Sequence, residues 1–514
     1  MSAASVTPPV ERSARLVIAA LTASILLASL DTMVFSTALP TIVGQLHGVE
    51  HLAWVTTAYL LASTVVMPVY GKAGDLIGRK WLFVGALALF LAGSVLGGLA
   101  QTMTMLIVAR AVQGLGGGGI MVLVQAIIAD VVPPRERGRA MAVTGSMFAI
   151  SSVAGPLLGG WFTNGPGWRW AFWINVPVAA LAIVAAVVLL HPVPKPSRSR
   201  MDVAGVLVMV VAVTALVLVT GTPPASWLQP AGIALIAIVV VGSIVFLLIE
   251  RRAAEPIIPL RMLRHRDFVL ATAGGLCFSL AMTGVVGYLP TYLQMATGLT
   301  ATTAGLMMIP MVLGIMTSSF GCGTLISRTG RYTWMPVAGA AVVAASVLAL
   351  ASLPVAAPLW ALGVVLYATG VGMGLGGQAL TLTTQYAFPR EVGTATANYT
   401  FFKEIGASLG ASVIGGVFAA RLATNLAASP GLGVDPHSLT PQAVAAASAA
   451  VRSQIAAHYH DALIPVYLGL VPMMIAAGIW LLFIREQHLP TRATVSAGGA
   501  AERLARAGEE AVSR

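Results

Sequence analysis

The chain has 514 residues, 57% of them apolar and 9% charged, with a mean hydropathy of +0.88 and a net charge of +11. A soluble domain carries about 25% charged residues, so a water-soluble fold is excluded, and the apolar content supplies roughly twelve to fourteen spans of about 20 residues. The basic residues are scattered through short loops with no aromatic-interleaved stripe, which argues against a nucleic-acid partner, and two cysteines, Cys277 and Cys322, form neither a disulfide framework nor a metal cluster.

In chain order, a polar head over 1–15 precedes a long apolar run with no small-residue cleavage site, so the first span is retained. Apolar blocks follow at 16–43, 52–70, 81–100, 104–129, 140–162 and 171–190, which make a first six-helix half over 16–190. Blocks at 203–220 and 231–249 make a two-helix insert within 191–267. Six more, at 268–296, 303–325, 335–353, 359–386, 395–419 and 463–484, make a second half over 268–484. An Ala-rich loop over 421–462 interrupts that half, its stretch 441–460 reading equally as a surface helix or as disorder, and a polar tail occupies 485–514. The expectation is an all-α polytopic membrane protein with 14 transmembrane helices.

Lys and Arg in short loops mark the cytoplasmic side. With both termini cytoplasmic, 24 of the 29 fall on that side, while Arg169, Arg421 and Arg452 fall outside and Arg110 and Lys403 lie within spans. A one-span error would scramble this alternation.

The chain also repeats internally. GKAGDLIGRK at 71–80 recurs as GTLISRTGRY at 323–332, and PRERGRAMA at 134–142 recurs as PREVGTATA at 389–397. The offsets of 252 and 255 residues are those of six spans plus a two-span insert.

Several residues stand out against this apolar background. Asp31, deep in the first span, is costly to keep ionised there, a property a proton carrier uses, although a structural acid bonded to backbone fits the position as well. Glu404 in the thirteenth span reads either as a second proton or cation site in a central cavity or as part of a surface ion pair, with Lys403 turned about 100° away on the helix. Arg110 needs a partner or a wet cavity. Gly114, Gly116 and Gly119, like Gly372, Gly374 and Gly377, satisfy G-x-G-x-x-G, but no strand precedes them, and close helix packing explains them better than a dinucleotide site. Gly155, Pro156, Gly159 and Gly160 read as a compliant hinge in the fifth span. Gly71, Asp75, Gly78, Arg79 and Lys80 form a tight charged loop whose ion-pair network Asp130 and Arg135 complete. In the second copy Ser327 stands where Asp75 does, so a second network there is weaker. Phe35, Tyr59, Gln125, Phe148, Tyr288, Tyr292, Gln378, Asn398 and Phe401 are candidates for lining a substrate cavity suited to lipophilic cations.

Together with LDTMVFSTALP at 30–40, RAVQGLGGGG at 110–119, AGPLLGG at 154–160, WRWAFWINVP at 168–177 and YLPTYLQMATGLTATTAGLMMIP at 288–310, these patterns resemble the major facilitator superfamily and its fourteen-span drug:proton antiporter branch. The resemblance covers about 16–485. It implies two six-helix halves of inverted three-helix repeats plus the two-helix insert. It further implies that Arg110 couples to proton movement, that the charged loop latches the halves in an outward-open state, and that the fifth-span motif marks export. The functional expectation is a proton-coupled multidrug exporter working by alternating access as a monomer in the inner membrane of a bacterium, driven by the proton gradient without a cofactor. Its partners are a small amphiphilic substrate, protons and membrane lipid. Export of a lipid or an endogenous metabolite is the alternative. A membrane-embedded lipid-modifying enzyme is disfavoured because the histidines lie outside the spans without metal spacing.

Overall fold

In the computed structural model the described residues are 9–46, 52–191, 201–222, 224–299, 301–354, 357–427, 444 and 448–486. Among them the structure is helical, without strands. Fourteen long helices run in order: α1 Pro9–Leu46, α2 Leu52–Ile77, α3 Arg79–Gly98, α4 Met103–Val131, α5 Pro134–Asn164, α6 Asn175–Leu189, α7 Val203–Thr220 and α8 Pro230–Glu250. The second half follows as α9 Arg266–Thr297, α10 Ile309–Thr329, α11 Trp334–Ser352, α12 Leu359–Ala387, α13 Val392–Ala427 and α14 Ala449–Leu481. Among the described residues thirteen helices are long and apolar enough to cross a membrane, and α2, of 26 residues with Lys72 and Asp75 in its last turns, is the other long one there.

Local chemistry sets several boundaries. Thr102 caps α4 by accepting from the Met105 amide at 3.2 Å, and Asp202 caps α7 by accepting from the Gly205 amide at 2.9 Å. Gly78, at φ +96°, breaks α2 from α3 in a conformation that glycine adopts readily. The Ala-rich stretch resolves differently from its sequence expectation. Ser448 caps α14, which runs without interruption from Ala449, so the last span begins before 463 because Ala is the strongest helix former. Most of 428–447, like the two tails, lies outside the described residues.

In the N-terminal six helices α1 packs on α5 and α6, and α4 on α2 and α3. In the C-terminal six α9 packs on α13 and α14, and α12 on α10 and α11. The two sets meet where α5 crosses α10 and where α2 crosses α13. These crossings rest on repeated glycines. A Cβ at Gly71 of α2 would lie 2.7 Å from the carbonyl oxygen of Gly393, and one at Gly323 of α10 would lie 2.7 Å from that of Gly138. Backbone therefore meets backbone at two equivalent places near one end of the bundle, as small residues permit in lipid.

The G-x-G-x-x-G runs pack closely except at Gly377, where a Cβ would meet nothing within 4 Å because the residue lines a cavity. Gly114 and Gly118 lie against the α2 backbone and Gly116 against that of α3, so one helix is held between two others. The hairpin α7–α8 docks on α2 and α13 through α7, with Met209 and Val213 buried against Val65 and Phe401. The α8 helix is apolar up to its terminal Glu250 and only 6% of its span is buried, as lipid allows. From its end, residues 251–265 return beneath α2 and α13. Ile257 and Ile258 are buried, their amides donating to Glu250 Oε1 at 3.0 and 3.4 Å, and Lys72 Nζ lies 2.6 Å from Glu255 Oε2.

Candidate functional site

The polar centre of the N-terminal helices is a closed cluster. Asp31 of α1 accepts from Arg110 Nη1 at 2.6 Å, from Gln113 Nε2 at 2.8 Å and from Asn175 Nδ2 at 2.7 Å. Gln113, one turn after Arg110 on α4, also accepts from Arg110 Nη1 at 2.7 Å and donates to Ser94 Oγ at 2.9 Å. The side chains of Asp31 and Arg110 are each 1% exposed. The guanidinium lies between two rings, 4.4 Å from the centroid of Phe35 and 4.2 Å from that of Tyr59. Removing both charges from water is expensive, and the bonds around Asp31 compensate for it. The buried acid and the buried base singled out in the sequence are thus each other's partner. Sequence reasoning missed Gln113 and Asn175; the available signal was an amide side chain within the RAVQG and WINVP runs of otherwise apolar spans.

Beside this cluster lies a cavity of about 330 Å³ between the two sets of helices. Tyr59, Gln125, Phe148, Gln378 and Glu404 line it, as the sequence suggested, together with Met67, Met121, Met141, Thr144, Tyr399 and Lys403. Tyr59 is therefore shared, packed under Arg110 and forming cavity wall. Glu404 takes the cavity alternative rather than the surface one. Lys403, expected to turn away, lines the cavity too, with Nζ 3.8 Å from Glu404 Oε1 and the side chains 40% and 31% exposed. Toward one end the wall residues Leu60 and Phe148 are 43% and 39% exposed. At the other end the glycine crossings close the space.

Five proposed lining residues lie elsewhere. Phe35 is buried beneath Arg110. On α13, Thr400, Lys403 and Glu404 share the cavity face, which turns Phe401 into the cluster under the insert and Asn398 toward the Ile257 carbonyl, 3.4 Å away. Tyr288 donates to the Ala411 carbonyl at 2.6 Å, and the Tyr292 hydroxyl lies 2.9 Å from His460 Nδ1 beside a separate small pocket at the middle of α14.

The charged loop closes the end opposite the exposed wall. Arg79 pairs with Asp75 and with Asp130, each at 2.7 Å, and donates to the Ala126 carbonyl. Asp75 also accepts from the Gly393 and Thr394 amides at 3.2 and 2.7 Å and from Thr394 Oγ1 at 2.9 Å. A carboxylate from the first half thus caps the N-terminus of α13 in the second, where backbone donors and helix dipole favour it. Lys80 donates to the Val187 carbonyl at 2.7 Å and takes no part in the network. The side chain of Arg135 lies outside the described residues. Arg137 instead ties the turn together, donating to the Ala129 carbonyl at 2.5 Å with its guanidinium 5.8 Å from the Tyr386 ring centroid. In the second copy Arg331 is 3.8 Å from Glu486 and 65% exposed, a looser contact.

In α5, Gly155 lies close against α1, where a Cβ would meet the Met33 carbonyl carbon at 3.0 Å. Pro156 is exposed within the helix and Gly159 is buried, whereas a Cβ at Gly160 would meet nothing within 4 Å.

A membrane-crossing helical bundle with a cavity open toward one end is built to carry a small molecule rather than to transform one. The chain belongs to the Major Facilitator Superfamily, whose family model matches residues 21–411. An uncharacterized MFS-type transporter of Mycobacterium tuberculosis is 38% identical over 94% of this chain and 70% of its own length. Multidrug resistance protein 3 of Bacillus subtilis is 32% identical over 95% of this chain and 98% of its own. The proton:xylose symporter XylE has the same fold, with a TM-score of 0.60 at 14% identity over 95% of this chain and 99% of its own. The protein is a transporter and not an enzyme.

Proposed function

We propose that the protein is a proton-coupled exporter of amphiphilic, lipophilic or cationic compounds, working as a monomer in the inner membrane of a bacterial cell with both termini cytoplasmic. Its energy source is the proton gradient, without a cofactor. Relatives named as multidrug transporters and efflux pumps support export of such compounds. The Lys and Arg distribution supports the orientation, because it puts the charged loop and its network on the cytoplasmic side. On this reading the open end of the cavity faces outward and the latched end faces the cytoplasm.

The observation that carries the reading is the sharing of Tyr59 between the Asp31–Arg110 pair and the cargo cavity. In this state Glu404 is the acid within reach of the cavity, while Asp31 is sealed. A proton from outside is taken by Glu404, which weakens its hold on cargo and releases it outward. When the seal around Asp31 opens, a second proton from outside neutralises it and frees Arg110, and because the guanidinium lies on Tyr59 its movement alters the cavity wall. Opening of the Asp75 cap on α13 then exposes the cavity to the cytoplasm, where both acids lose their protons as new cargo binds. Such a coupling needs two global states and a differential contact in each, which the sealed pair and the latch supply.

The test is dye uptake into inverted membrane vesicles, where export from the cytoplasmic face becomes accumulation in the lumen. Transport driven by a pH gradient and lost on its collapse is the expected result, and transport that survives collapse of both gradient and voltage overturns the reading.

A further inference from the structure

The charged groups lining the cavity are Lys403 and Glu404, adjacent on α13 and both on its cavity face. Their charges cancel. The contact between them is long, at 3.8 Å beyond hydrogen-bond reach, and both side chains keep contact with solvent, so it costs little to replace. The wall around them is apolar and aromatic, with Tyr59, Phe148 and Tyr399 and the methionines Met67, Met121 and Met141. A volume of about 330 Å³ suits a drug-sized body.

A cavity with this charge balance holds either simple ion class less well than a molecule that carries both signs. A cation approaching Glu404 meets the Lys403 ammonium beside it, and an anion approaching Lys403 meets the Glu404 carboxylate. A molecule carrying both signs relieves both conflicts. Its anionic group takes Lys403, its cationic group takes Glu404, and the loose internal pair is exchanged for two charge-assisted contacts in a partly desolvated space. We infer that the preferred cargo is a zwitterionic amphiphile, and that Lys403 is the residue that holds its carboxylate or other anionic group. The inference rests on the reading of this cavity as the cargo site. It adds a specificity-determining cation that neither the fold nor the relatives' names supply.

The experiment compares two dyes that differ in one charge, rhodamine B, which carries a free carboxylate, and its ethyl ester, which is a plain cation. Binding to the full-length protein in lipid nanodiscs is read by fluorescence anisotropy, without a gradient. The wild type binds rhodamine B more tightly than the ester. Lys403→Gln lowers affinity for rhodamine B about ten-fold while ester binding holds or tightens, because Glu404 loses its neighbouring cation. Lys403→Arg restores rhodamine B binding. Equal losses for both dyes, which mark a merely structural effect, or an unchanged affinity for rhodamine B, overturn the inference. Because no gradient is used, a split between dyes without gradient-driven efflux removes the proton coupling and leaves this inference standing. Efflux without the split does the reverse.

Discussion

The Arg110 guanidinium lies 4.2 Å from the centroid of the Tyr59 ring, so the cation that neutralises Asp31 rests on a residue of the cavity wall. Charge at the sealed cluster and shape of the cavity are thereby one mechanical problem. The ring cannot turn while the guanidinium is held on it, and the guanidinium is held by Asp31 and Gln113.

Asp31→Asn removes the carboxylate and leaves a buried guanidinium without a counter-charge, a defect of about 3–5 kcal/mol. The expected outcome is a lower thermal unfolding temperature in detergent together with loss of gradient-driven efflux. Adding Arg110→Gln recovers much of the stability and none of the efflux. Undiminished efflux in the single variant removes Asp31 from the coupling scheme.

Glu404→Gln keeps the shape of the cavity and abolishes its proton acceptor. Uphill transport then fails while exchange of labelled for unlabelled cargo continues. A variant that still pumps uphill contradicts the assignment.

Asp75→Asn weakens both the pair with Arg79 and the cap on α13. At about 1–2 kcal/mol for charge at a helix N-terminus, the balance of states shifts roughly five- to thirty-fold toward opening at the latched end. The readout is the labelling rate of a cysteine placed at Met141, on the cavity floor, by a membrane-impermeant thiol reagent applied from the loop side. Ser327→Asp works in the opposite direction by building the missing acid of the second copy next to Arg331, and is expected to slow turnover.

Gly155→Val forces a side chain into the Met33 backbone and is expected to lower both stability and efflux, whereas Gly160→Ala, with open space around it, leaves both unchanged. Equal tolerance at the two positions would show that close approach of α5 to α1 is not what the motif preserves.

Apolar block length and charged breaks made the helices and their number legible, because hydrocarbon leaves few alternatives to a helix. The buried charges were legible for the same reason, since Asp31 and Arg110 each demanded a partner, although their mutual pairing depends on how α1 meets α4. Helix rotation was less accessible. The thirteenth span is apolar on most sides, so nothing in its periodicity separated the cavity face holding Thr400, Lys403 and Glu404 from the face turning Asn398 and Phe401 to the insert. The latch showed a further limit. Nothing in the sequence singles out Arg137 in this loop, because only the folded turn reveals that it reaches the Ala129 carbonyl. The helical nature of the Ala-rich stretch after 448 was open in the sequence, where composition alone fits surface helix and disorder alike.

The α7–α8 hairpin looks dispensable for a carrier of twelve helices, yet the chain leaving it is not. Residues 251–265 touch the first half through Glu255 and Lys72 and the second through Arg261 and Glu391. A shortened transporter made by excising the hairpin and joining its neighbours directly would lose a belt spanning both moving bodies. A functional graft between twelve- and fourteen-helix relatives therefore has to carry this return segment along with, or even in place of, the two lipid-facing helices.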